Sequence, residues 1–470
     1  TSEPLYLGTY TVYEAKAKDG YALDVAEKSV ALTYQGQEVS VFGEQIDVTD
    51  APTEPQIVKV SSIDGETPIE GATFRIWNDA GDFDETLATD AGGIIALKYL
   101  KHGSYHMQEV AAADGYVVDD VDDEGKARIR DFEVNDQGMV AVVDEPMQAK
   151  LAIVVENMPK TMGTTATDGD SGTPEGQARS DMSIIDSVAY TGCIPGETYK
   201  VTGKLMGKST GQPVLDAEGS EITAEKEFAA EGFEGSIDIE FRFDGSGLAG
   251  ASLVAFESMF DAEGNIYMSH EDISDEGQTV NVVDIATKAH DAETGTNQGT
   301  VSEAATLVDE VSFEGLTPGN RYKLFTMLVD KATGEPVGDV AGNPMVIETD
   351  FAPEAPDGTV EVVFALDTAE LAGKSLVFFE KLADDGDNVI AKHEDIGDED
   401  QTIELPEPDA PQTPVGKGYP KTGADAAKAA VAASAAVIVG CGAAGAAYAA
   451  AKRRKKAGEE VEEPTAEPAE

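Results

Sequence analysis

The sequence contains little cysteine and little positive charge. Only two cysteines, Cys193 and Cys441, occur in 470 residues, so we expect no internal disulfide framework. Lysine and arginine together number 33 against 90 acidic residues, which gives a formal net charge of −57. A nucleic-acid-binding surface needs a basic patch, so this charge argues against a nucleic-acid partner.

Long amphipathic helices are missing before residue 424. Short stretches of alternating polar and apolar residues, such as 199–205 and 236–243, occur instead between frequent turn signals. This pattern predicts an all-β chain of tandem Ig-like or prealbumin-like β-sandwiches. At ~100–150 residues per domain the length corresponds to about three or four domains. Residues 1–6 resemble the middle of a domain and not a signal peptide, so we expect a C-terminal fragment of a longer protein.

Two stretches with the same pattern, H-E-D-I-x-D-E-x-Q, organise the second half of the chain. They span residues 270–278 and 393–401, at an offset of 123 residues. Three polar positions upstream repeat at the same offset. With the histidine and the glutamine of the pattern itself they make five pairs: Thr164 and Thr287, Asp186 and Asp309, Glu257 and Glu380, His270 and His393, and Gln278 and Gln401. Core packing alone does not require this polar set to recur, whereas a reaction site would.

These residue types fit an acyl transfer. A threonine hydroxyl is a poor nucleophile and needs a neighbouring base. A carboxylate or a histidine can accept its proton, and a histidine can also deliver one to a departing nitrogen. Two buried acids held together cannot both ionise, so one stays protonated and can polarise the glutamine carbonyl. The sequence leaves open which of the three groups acts as base and which as acid.

The two repeats, residues 160–283 and 284–404, resemble VaFE-repeat Ig-like domains of wall-anchored proteins and the ester-bond domains of Gram-positive adhesins. The shared motifs are H-E-D-x-x-D-x-x-Q and V-x-F-E, the latter at 254–257 and 377–380. The resemblance implies that a first-strand threonine attacks the carboxamide of a last-strand glutamine, and ammonia leaves. It implies Thr164–Gln278 and Thr287–Gln401 esters, assisted by the two acids and the histidine of each repeat. Only the alignment with Thr287 selects Thr164 over the adjacent Thr165.

A second pattern recurs in residues 1–159. A strand carrying a glutamate leads into a Gly-Tyr turn at residues 8–21 and again at 103–116. The second copy adds an opening strand with Lys59, a G-A-x-F stretch at 71–74, and a closing strand with Asn157. In the first copy only Glu14 and Asp50 remain as counterparts of the glutamate and the closing residue.

This pattern resembles the CnaB-type (SpaA-like, prealbumin-like) domain of Gram-positive surface proteins. The resemblance implies an isopeptide bond between Lys59 and Asn157, assisted by Glu109. A lysine amine is nucleophilic only when neutral, and burial depresses its pKa. From residue types alone, a solvated Lys59 and a surface Glu109 are an equal alternative. The lysine strand of the first copy would precede residue 1, so we expect no bond there within this chain.

The C-terminal region has the order of a wall-sorting signal. A proline-rich linker at 405–418 precedes a five-residue motif, then 23 apolar or small residues at 429–451 and a basic cluster at 452–456. The apolar segment would span about 34 Å as a helix, enough for a bilayer core. The motif consists of Tyr419, Pro420, Lys421, Thr422 and Gly423.

This order resembles the LPxTG signal, with Tyr419 in place of leucine. The resemblance implies that sortase cleaves after Thr422 and joins that residue to peptidoglycan. The expected partners are therefore sortase, peptidoglycan and, during sorting, the membrane, and the expected location is a Gram-positive cell wall. The acidic tail at 457–470 departs from the short basic tails usual in the family.

The patterns together predict the structural stalk of a sortase-anchored adhesin or pilin, with no cofactor, no metal and no enzymatic turnover. A ligand-binding head would precede residue 1, and pilus subunit versus single wall anchor stays open. One alternative is that the repeats themselves bind a host or matrix ligand. Less favoured are a calcium module, based on acidic stretches near 119, 168 and 384, and a hydrolase. The expected units are 1–51, 52–159, 160–283, 284–404, the linker 405–418, the sorting signal 419–456 and the tail 457–470.

Overall fold

The computed structural model describes residues 3–39, 43–122, 124–143, 149–339 and 341–407. Within these ranges strands dominate, and the helical structure is one 3-10 turn at Ala369–Leu371. The predicted all-β class with tandem sandwiches is confirmed. No helix among the described residues is long and apolar enough to span a bilayer. Most of the predicted linker, the sorting signal and the acidic tail lie outside the described residues.

The first segment is a two-stranded antiparallel sheet, β1 (Gly8–Val12) and β2 (Lys28–Leu32). It contacts the following domain through a Gly-Tyr turn. Thr53 N donates to Gly20 O at 3.0 Å, and the Tyr21 ring lies edge-on to Tyr99 at 5.6 Å. Gly20 has a φ of +81°, and a Cβ there would lie 2.7 Å from the Tyr99 carbonyl oxygen. The turn therefore requires glycine.

The strands between Gln56 and Pro159 form a two-sheet sandwich. Its strands are β3 (Gln56–Ser61), β4 (Thr73–Trp77), β5 (Asp84–Ala88), β6 (Ile94–Ala96), β7 (Gly103–Ala111), β8 (Tyr116–Val117), β9 (Ile129–Val134), β10 (Val140–Val142) and β11 (Ala152–Pro159). One sheet has the order β10-β9-β7-β4-β5 and the other β6-β3-β11-β8. The opening strand β3 and the closing strand β11 are parallel neighbours. Apolar side chains from both sheets, including Ile57, Phe74 and Phe132, form the core.

The strands from Thr161 to His270, together with the first half of the strand that begins at Thr279, form the first repeat, with its own core. Its strands are β12 (Thr161–Asp168), β13 (Glu175–Gln177), β14 (Met182–Thr191), β15 (Thr198–Gly207), β16 (Gln212–Pro213), β17 (Thr223–Ala229), β18 (Glu234–Phe243), β19 (Ser252–Phe260) and β20 (Ile266–His270). The sheet β12-β14-β18 packs on a second sheet built around β15 and β19. Strand β14 alternates buried residues with half-buried or exposed ones, as expected for a strand with one face on a core.

The long strand β21 (Thr279–Asp291) belongs to both repeats. Its first half pairs with β19 and β13 of the first repeat, and its second half pairs with β22 (Ala305–Glu314) of the second. The strand thereby joins sheets of both repeats into one nine-stranded sheet. The predicted boundary between residues 283 and 284 falls inside this strand. The repeats are thus connected by paired backbone and not by a free linker.

The second repeat follows the same plan. After β22 come β23 (Tyr322–Asp330), β24 (Val346–Phe351), β25 (Gly358–Leu366), β26 (Ser375–Asp384), β27 (Val389–His393) and β28 (Thr402–Glu404). The sheet β21-β22-β25 packs on a sheet with the order β24-β23-β26-β27, in which β28 also pairs with β26. Aromatic residues fill the core between the two sheets, for example Phe364 and Phe378, whose ring centroids are 5.4 Å apart.

Candidate cross-linking sites

In the sandwich formed by β3 to β11, the parallel pairing of β3 and β11 places Lys59 beside Asn157. The register aligns Lys59 with Val155 and Asn157 with Ser61, so the two side chains rise from adjacent strands. Both are completely buried. Glu109 approaches from β7 in the facing sheet and is also buried. The alternative of a solvated lysine and a surface glutamate is therefore wrong.

The three side chains contact one another directly. Lys59 Nζ lies 2.8 Å from Glu109 Oε2 and makes a very short contact with Asn157 Oδ1. Asn157 Nδ2 donates to Glu109 Oε1 at 2.7 Å, so the glutamate bridges the amine and the carboxamide. The Phe74 ring of the G-A-x-F stretch lies 5.6 Å from Lys59 Nζ and forms part of the apolar wall.

Burial governs the protonation of this group. It lowers the pKa of the Lys59 amine and raises the pKa of Glu109, while the attraction between the two charges opposes both shifts. The shifts favour transfer of a proton from the lysine to the glutamate. A neutral amine beside a carboxamide is the arrangement that amide formation needs.

Asp119 is a neighbouring carboxyl that the sequence analysis did not select. It follows β8, the strand that pairs with β11 next to Asn157. Its Oδ1 is buried without a hydrogen-bond partner among the described residues. Burial raises the pKa of Asp119, and its charge also acts on Lys59 and Glu109. The sequence contained it only as part of an acidic stretch at 119–123.

In the first repeat, four predicted residues converge from four strands or strand ends. Thr164 lies on β12 and Asp186 on the adjacent β14, whereas Glu257 lies on β19 of the facing sheet and Gln278 just before β21. Thr164 Oγ1 lies 3.3 Å from Glu257 Oε2, and Gln278 Nε2 donates to the same oxygen at 2.5 Å. We call Asp186 and Asp309 the inner aspartates, and Glu257 and Glu380 the bridging glutamates.

The second repeat reproduces the arrangement. Gln401 Nε2 donates to Glu380 Oε2 at 2.7 Å, and Asp309, Glu380 and Gln401 are completely buried. Thr287 lies beside Asp309 and is buried, although its hydroxyl makes no well-formed hydrogen bond. The two sites therefore share three neighbour relations: inner aspartate to threonine, bridging glutamate to glutamine, and inner aspartate to bridging glutamate.

The carboxyl pair in each repeat cannot hold two charges. Burial first, and then the neighbouring inner aspartate, raise the pKa of the bridging glutamate far above its usual range. Burial also raises the pKa of each inner aspartate, but the adjacent glutamate, the threonine and the histidine oppose the rise. Both carboxylate oxygens of each inner aspartate are buried without a hydrogen-bond partner among the described residues. A proton shared between the two acids would satisfy one of these oxygens.

The histidines lie next to these sites but do not contact the threonine or the glutamine in a hydrogen bond. His270 Nε2 lies 2.9 Å from Asp275 Oδ2, and its Nδ1 lies 3.0 Å from Met162 O. His393 has the same partners at Asp398 and Ile285 O, at 3.1 and 3.3 Å. We call Asp275 and Asp398 the loop aspartates. The sequence analysis missed them, although the fixed spacing H-x-x-x-x-D in both copies was the available signal.

Other predicted residues show contrasting outcomes. Thr165 is exposed and Thr164 is half-buried beside the acids, so the structure favours the threonine chosen by alignment. Glu14 accepts a hydrogen bond from Asp24 N at 2.7 Å, and Asp50 lies elsewhere in the same segment. The residues of the sorting motif, 419–423, lie outside the described residues.

The acidic stretches of the calcium alternative are engaged in local contacts. Asp168 is completely buried and accepts hydrogen bonds from Asp170 N, Ser171 N and Arg179. Asp384 accepts from Gly386 N and Asn388 N in an exposed turn. Among the described residues no group of three or more His, Cys, Asp or Glu side chains is arranged to hold a metal ion.

Comparison with known families decides the classification. Residues 160–282 and 283–405 each match the family model described as the T-Q ester bond containing domain, and together these matches cover more than half of the chain. The chain belongs to the T-Q ester bond family. Residues 55–145 match the model of the prealbumin-like fold domain, SpaA. The resemblances to ester-bond domains and to the SpaA-like domain are thereby confirmed. No curated protein matches the chain.

Solved structures of surface proteins are also similar over much of the chain. The major pilin subunit BcpA of Bacillus cereus is 15% identical, with 72% of this chain and 91% of that chain covered and a TM-score of 0.24. The major pilin SpaD of Corynebacterium diphtheriae is 12% identical, with 76% and 96% covered and a TM-score of 0.25. A Mobiluncus mulieris adhesin containing disulfide, isopeptide and ester cross-links is 14% identical, with 47% and 79% covered and a TM-score of 0.22. Scores this low carry no argument, so the classification rests on the family models.

Proposed function

We propose that this chain is a load-bearing stalk of a cell-surface adhesin or pilin, stabilised by three bonds that it forms within itself. One is a Lys59–Asn157 amide and two are esters, Thr164–Gln278 and Thr287–Gln401. Each bond forms once during maturation, so the chain is not an enzyme acting on a separate substrate. The division into units at 1–51, 52–159, 160–283 and 284–404 is part of this proposal.

The observation that carries the proposal is the recurrence of one buried polar group in both repeats. In each repeat a threonine and a glutamine more than a hundred residues apart in sequence lie against the same buried carboxyl pair. Burying such groups is costly unless they are paired or react. A reaction that consumes the hydroxyl and the carboxamide explains why the cost recurs.

Both reactions conserve atoms with ammonia as the leaving group. In the first domain the Lys59 amine attacks Asn157 Cγ, Glu109 carries a proton from the amine to Nδ2, and the C–N bond of the carboxamide breaks. In the repeats the threonine Oγ1 attacks the glutamine Cδ, a carboxyl protonates Nε2, and ammonia leaves. No oxidant or external energy source is needed.

The topology gives these bonds a mechanical use. Each bond joins the opening strand of a unit to the end of that unit. The amide joins β3 to the closing strand β11, and each ester joins the opening strand to a glutamine just before the closing strand. Closing a loop of about 100 residues is worth roughly 4–5 kcal/mol in the chain-entropy model. A pulling force would pass through the three bonds and through the two segments that connect them, residues 157–164 and 278–287. The second of these segments lies mostly in β21. The folded bodies are then bypassed.

Anchoring is the outer part of the proposal. The order of the Tyr419–Gly423 motif, the apolar segment and the basic cluster supports cleavage by sortase after Thr422 and attachment to peptidoglycan at a Gram-positive surface. Proteins outside the cell are commonly reinforced by disulfides, but this chain has only two cysteines. Internal amide and ester bonds would supply the covalent reinforcement instead.

Intact mass spectrometry of the chain tests the proposal. We expect a mass lower than that of the sequence by three ammonia molecules, and hydroxylamine should cleave the two esters but not the amide. Gln278→Ala should restore one ammonia and remove the Thr164 cross-linked peptide after digestion, while the other two bonds persist. A mass equal to that of the unreacted sequence would refute the proposal.

A further inference from the structure

Strand β27 of the second repeat lies at the edge of its sheet, next to the ester site. The order of that sheet is β24-β23-β26-β27, so β27 pairs with β26 on one side only. An edge strand leaves the N–H and C=O groups of alternate residues without a ladder partner. In β27 such a residue is Lys392, and its backbone groups are available to the neighbouring repeat.

The first repeat supplies the missing partner through Gln177 of β13. Gln177 Nε2 donates to Lys392 O at 2.8 Å, and Lys392 N donates to Gln177 Oε1 at 3.2 Å. The carboxamide thus pairs with both backbone groups of one residue, as a residue of an adjacent strand would. The contact joins residues 215 positions apart and connects the first repeat directly to β27.

A second contact between the repeats comes from the other end of β13. Glu175 is buried, and its Oε1 accepts hydrogen bonds from Thr317 Oγ1 and Tyr322 OH at 2.6 Å and from Thr317 N at 3.2 Å. Asn281 Nδ2 also donates to Thr317 Oγ1 at 3.1 Å. We call Glu175 and Gln177 the junction pair, because both side chains bond to the other repeat.

The junction pair extends from a strand that its own repeat holds firmly. β13 pairs in parallel with β21 over its whole length. Gly176, between the two members of the pair, packs so closely on Asp168 that a Cβ would lie 2.2 Å from Asp168 Cγ. Only glycine fits this approach. The first repeat therefore presents both side chains from a fixed position.

The junction pair is also a point at which the two repeats differ. At the offset of 123 residues Gly176 recurs as Gly299, whereas the junction pair is replaced by Gln298 and Thr300. Gln298 is exposed, and Thr300 bonds to Asp291 within the second repeat. The fold that the repeats share therefore does not require the junction pair, whose contacts to the second repeat account for its presence.

We propose that Gln177 and Glu175 are positioning residues through which the folded first repeat holds β27, so that the Thr287–Gln401 ester forms at its full rate only when the first repeat is docked. The proposal rests on the proposed function, because it concerns one of the two proposed esters. β27 pairs with β26 at Glu380, and the loop after β27 leads to Gln401. A misplacement of reacting groups by about 1 Å can slow a reaction about 100-fold, so support of this strand affects the rate.

The dependence runs in one direction. In the first repeat Ser269 of β20 occupies the position of Lys392 and pairs with β19 in the same register. Among the described residues no side chain bonds to the backbone of Ser269. Formation of the first ester should therefore not require a docked neighbour, whereas formation of the second ester should.

Gln177→Ala in the full chain tests the coupling. The chain is synthesised in a short cell-free pulse, and both esters are quantified by digestion and mass spectrometry at a series of times. The first ester is the internal reference in the same molecule. We expect the rate of the second ester relative to the first to fall about three- to tenfold. Both esters should still reach the wild-type final yield, because the reacting groups are unchanged.

Three further variants sharpen the result. Glu175→Ala should lower the same ratio of rates, and Glu175→Gln should restore most of it, since it keeps an acceptor oxygen for Thr317 and Tyr322. Gln212→Ala removes an exposed glutamine of the first repeat and should leave the ratio unchanged. Equal slowing of both esters in Gln177→Ala would indicate a general loss of structure and overturn the proposal, as would a wild-type ratio.

Hydrogen exchange measures the contact in the absence of both esters. In a chain with Gln278→Ala and Gln401→Ala, the Lys392 amide should exchange at least about tenfold more slowly than the Ser269 amide, after correction for their intrinsic rates. Adding Gln177→Ala should remove this difference. Equal exchange of the two amides before that substitution would refute the support of β27 by the first repeat.

The outcomes separate this inference from the proposed function. A wild-type chain without either ester defeats the proposed function itself. A wild-type chain with both esters, together with a Gln177→Ala chain that forms them at the wild-type ratio of rates, defeats only the positioning role of the junction pair.

Discussion

The amide site and the ester sites contain similar side chains but differ in the protonation of the nucleophile. At the amide site Lys59 brings its own proton, and one carboxyl, Glu109, is sufficient to accept it. At the ester sites the nucleophile is a neutral hydroxyl, and two carboxyls lie beside it in each repeat. An amine site therefore holds a cation and an anion that can neutralise each other, whereas a hydroxyl site must bind one extra proton to avoid two adjacent negative charges.

The largest effect that separates the two sites should come from removing Glu109, the carboxyl that contacts Lys59 directly. In an Asn157→Ala chain, which cannot form the amide, adding Glu109→Ala leaves Lys59 buried without its partner. We expect a further loss of about 3–5 kcal/mol in the unfolding free energy of this domain. Calorimetric and urea unfolding of the two variants measure it.

The matched control is Glu257→Ala in a Gln278→Ala chain. There the substitution removes a neutral, protonated carboxyl and leaves Asp186 free to ionise near His270, so the cost should be only about 1–3 kcal/mol. Equal losses at the two sites would contradict the distinction between a charge-paired site and a proton-binding site.

The next effect is a pH dependence present at one site and absent at the other. In a Thr287→Ala chain, the raised pKa of Glu380 means that the folded state keeps a proton that the unfolded state loses above its ordinary pKa. Stability from this group is therefore complete below about pH 4 and declines as pH rises, by up to about 1.4 kcal/mol per pH unit. Urea unfolding across pH measures the slope, and Glu380→Gln in the same background should remove it.

An Asn157→Ala chain that also carries Asp119→Asn, which removes the other buried carboxyl of this site, should lack this slope in the neutral range. Lys59 has a lowered pKa and Glu109 a raised one, so the folded pair holds one proton whichever residue carries it. The unfolded chain also holds one, on the lysine. Folding then changes the number of bound protons at the ester site only, and a slope of similar size at both sites would contradict this account.

The junction between the repeats provides a smaller test. Glu175 of the first repeat is buried, and its Oε1 accepts from Thr317 Oγ1 and Tyr322 OH of the second, both at 2.6 Å. Glu175→Ala leaves these donors unpaired, at a cost of about 1–3 kcal/mol, and should loosen the angle between the repeats. Residual dipolar couplings and small-angle scattering would detect the change. Gln298, at the same position of the second repeat, is exposed, so Gln298→Ala should have no effect.

The sequence was sufficient for the parts of the molecule that repeat. Alternation of polar and apolar residues predicted the sandwiches, and the constant offset of 123 residues identified Thr164, Asp186, Glu257 and Gln278 before any geometry was available. The same offset contained Asp275 as well. It was passed over because an acidic residue in an acidic loop is usually only solvated.

Other features depend on three-dimensional contacts that the pattern does not encode. The role of β21 as a strand of both repeats follows from pairing with β19 on one half and β22 on the other. The buried contact of Glu175 with Tyr322 joins residues 147 positions apart. The hydrogen-bond partners of each histidine also could not be inferred, because the motif fixes the order of residues and not the direction of the ring.

The smallest expected effect concerns the two adjacent threonines of the first repeat. Thr165 is exposed and pairs with Ser187 across β12 and β14, while Thr164 points toward the carboxyl pair. Neighbouring residues of a strand face opposite sides, so the hydroxyl of Thr165 cannot reach Gln278 without a shift of register. Thr165→Ala should leave the ester intact and change stability by less than about 0.5 kcal/mol. Thr164→Ala should abolish that ester alone, and a chain that still loses three ammonia molecules after Thr164→Ala would show that the second threonine can replace the first.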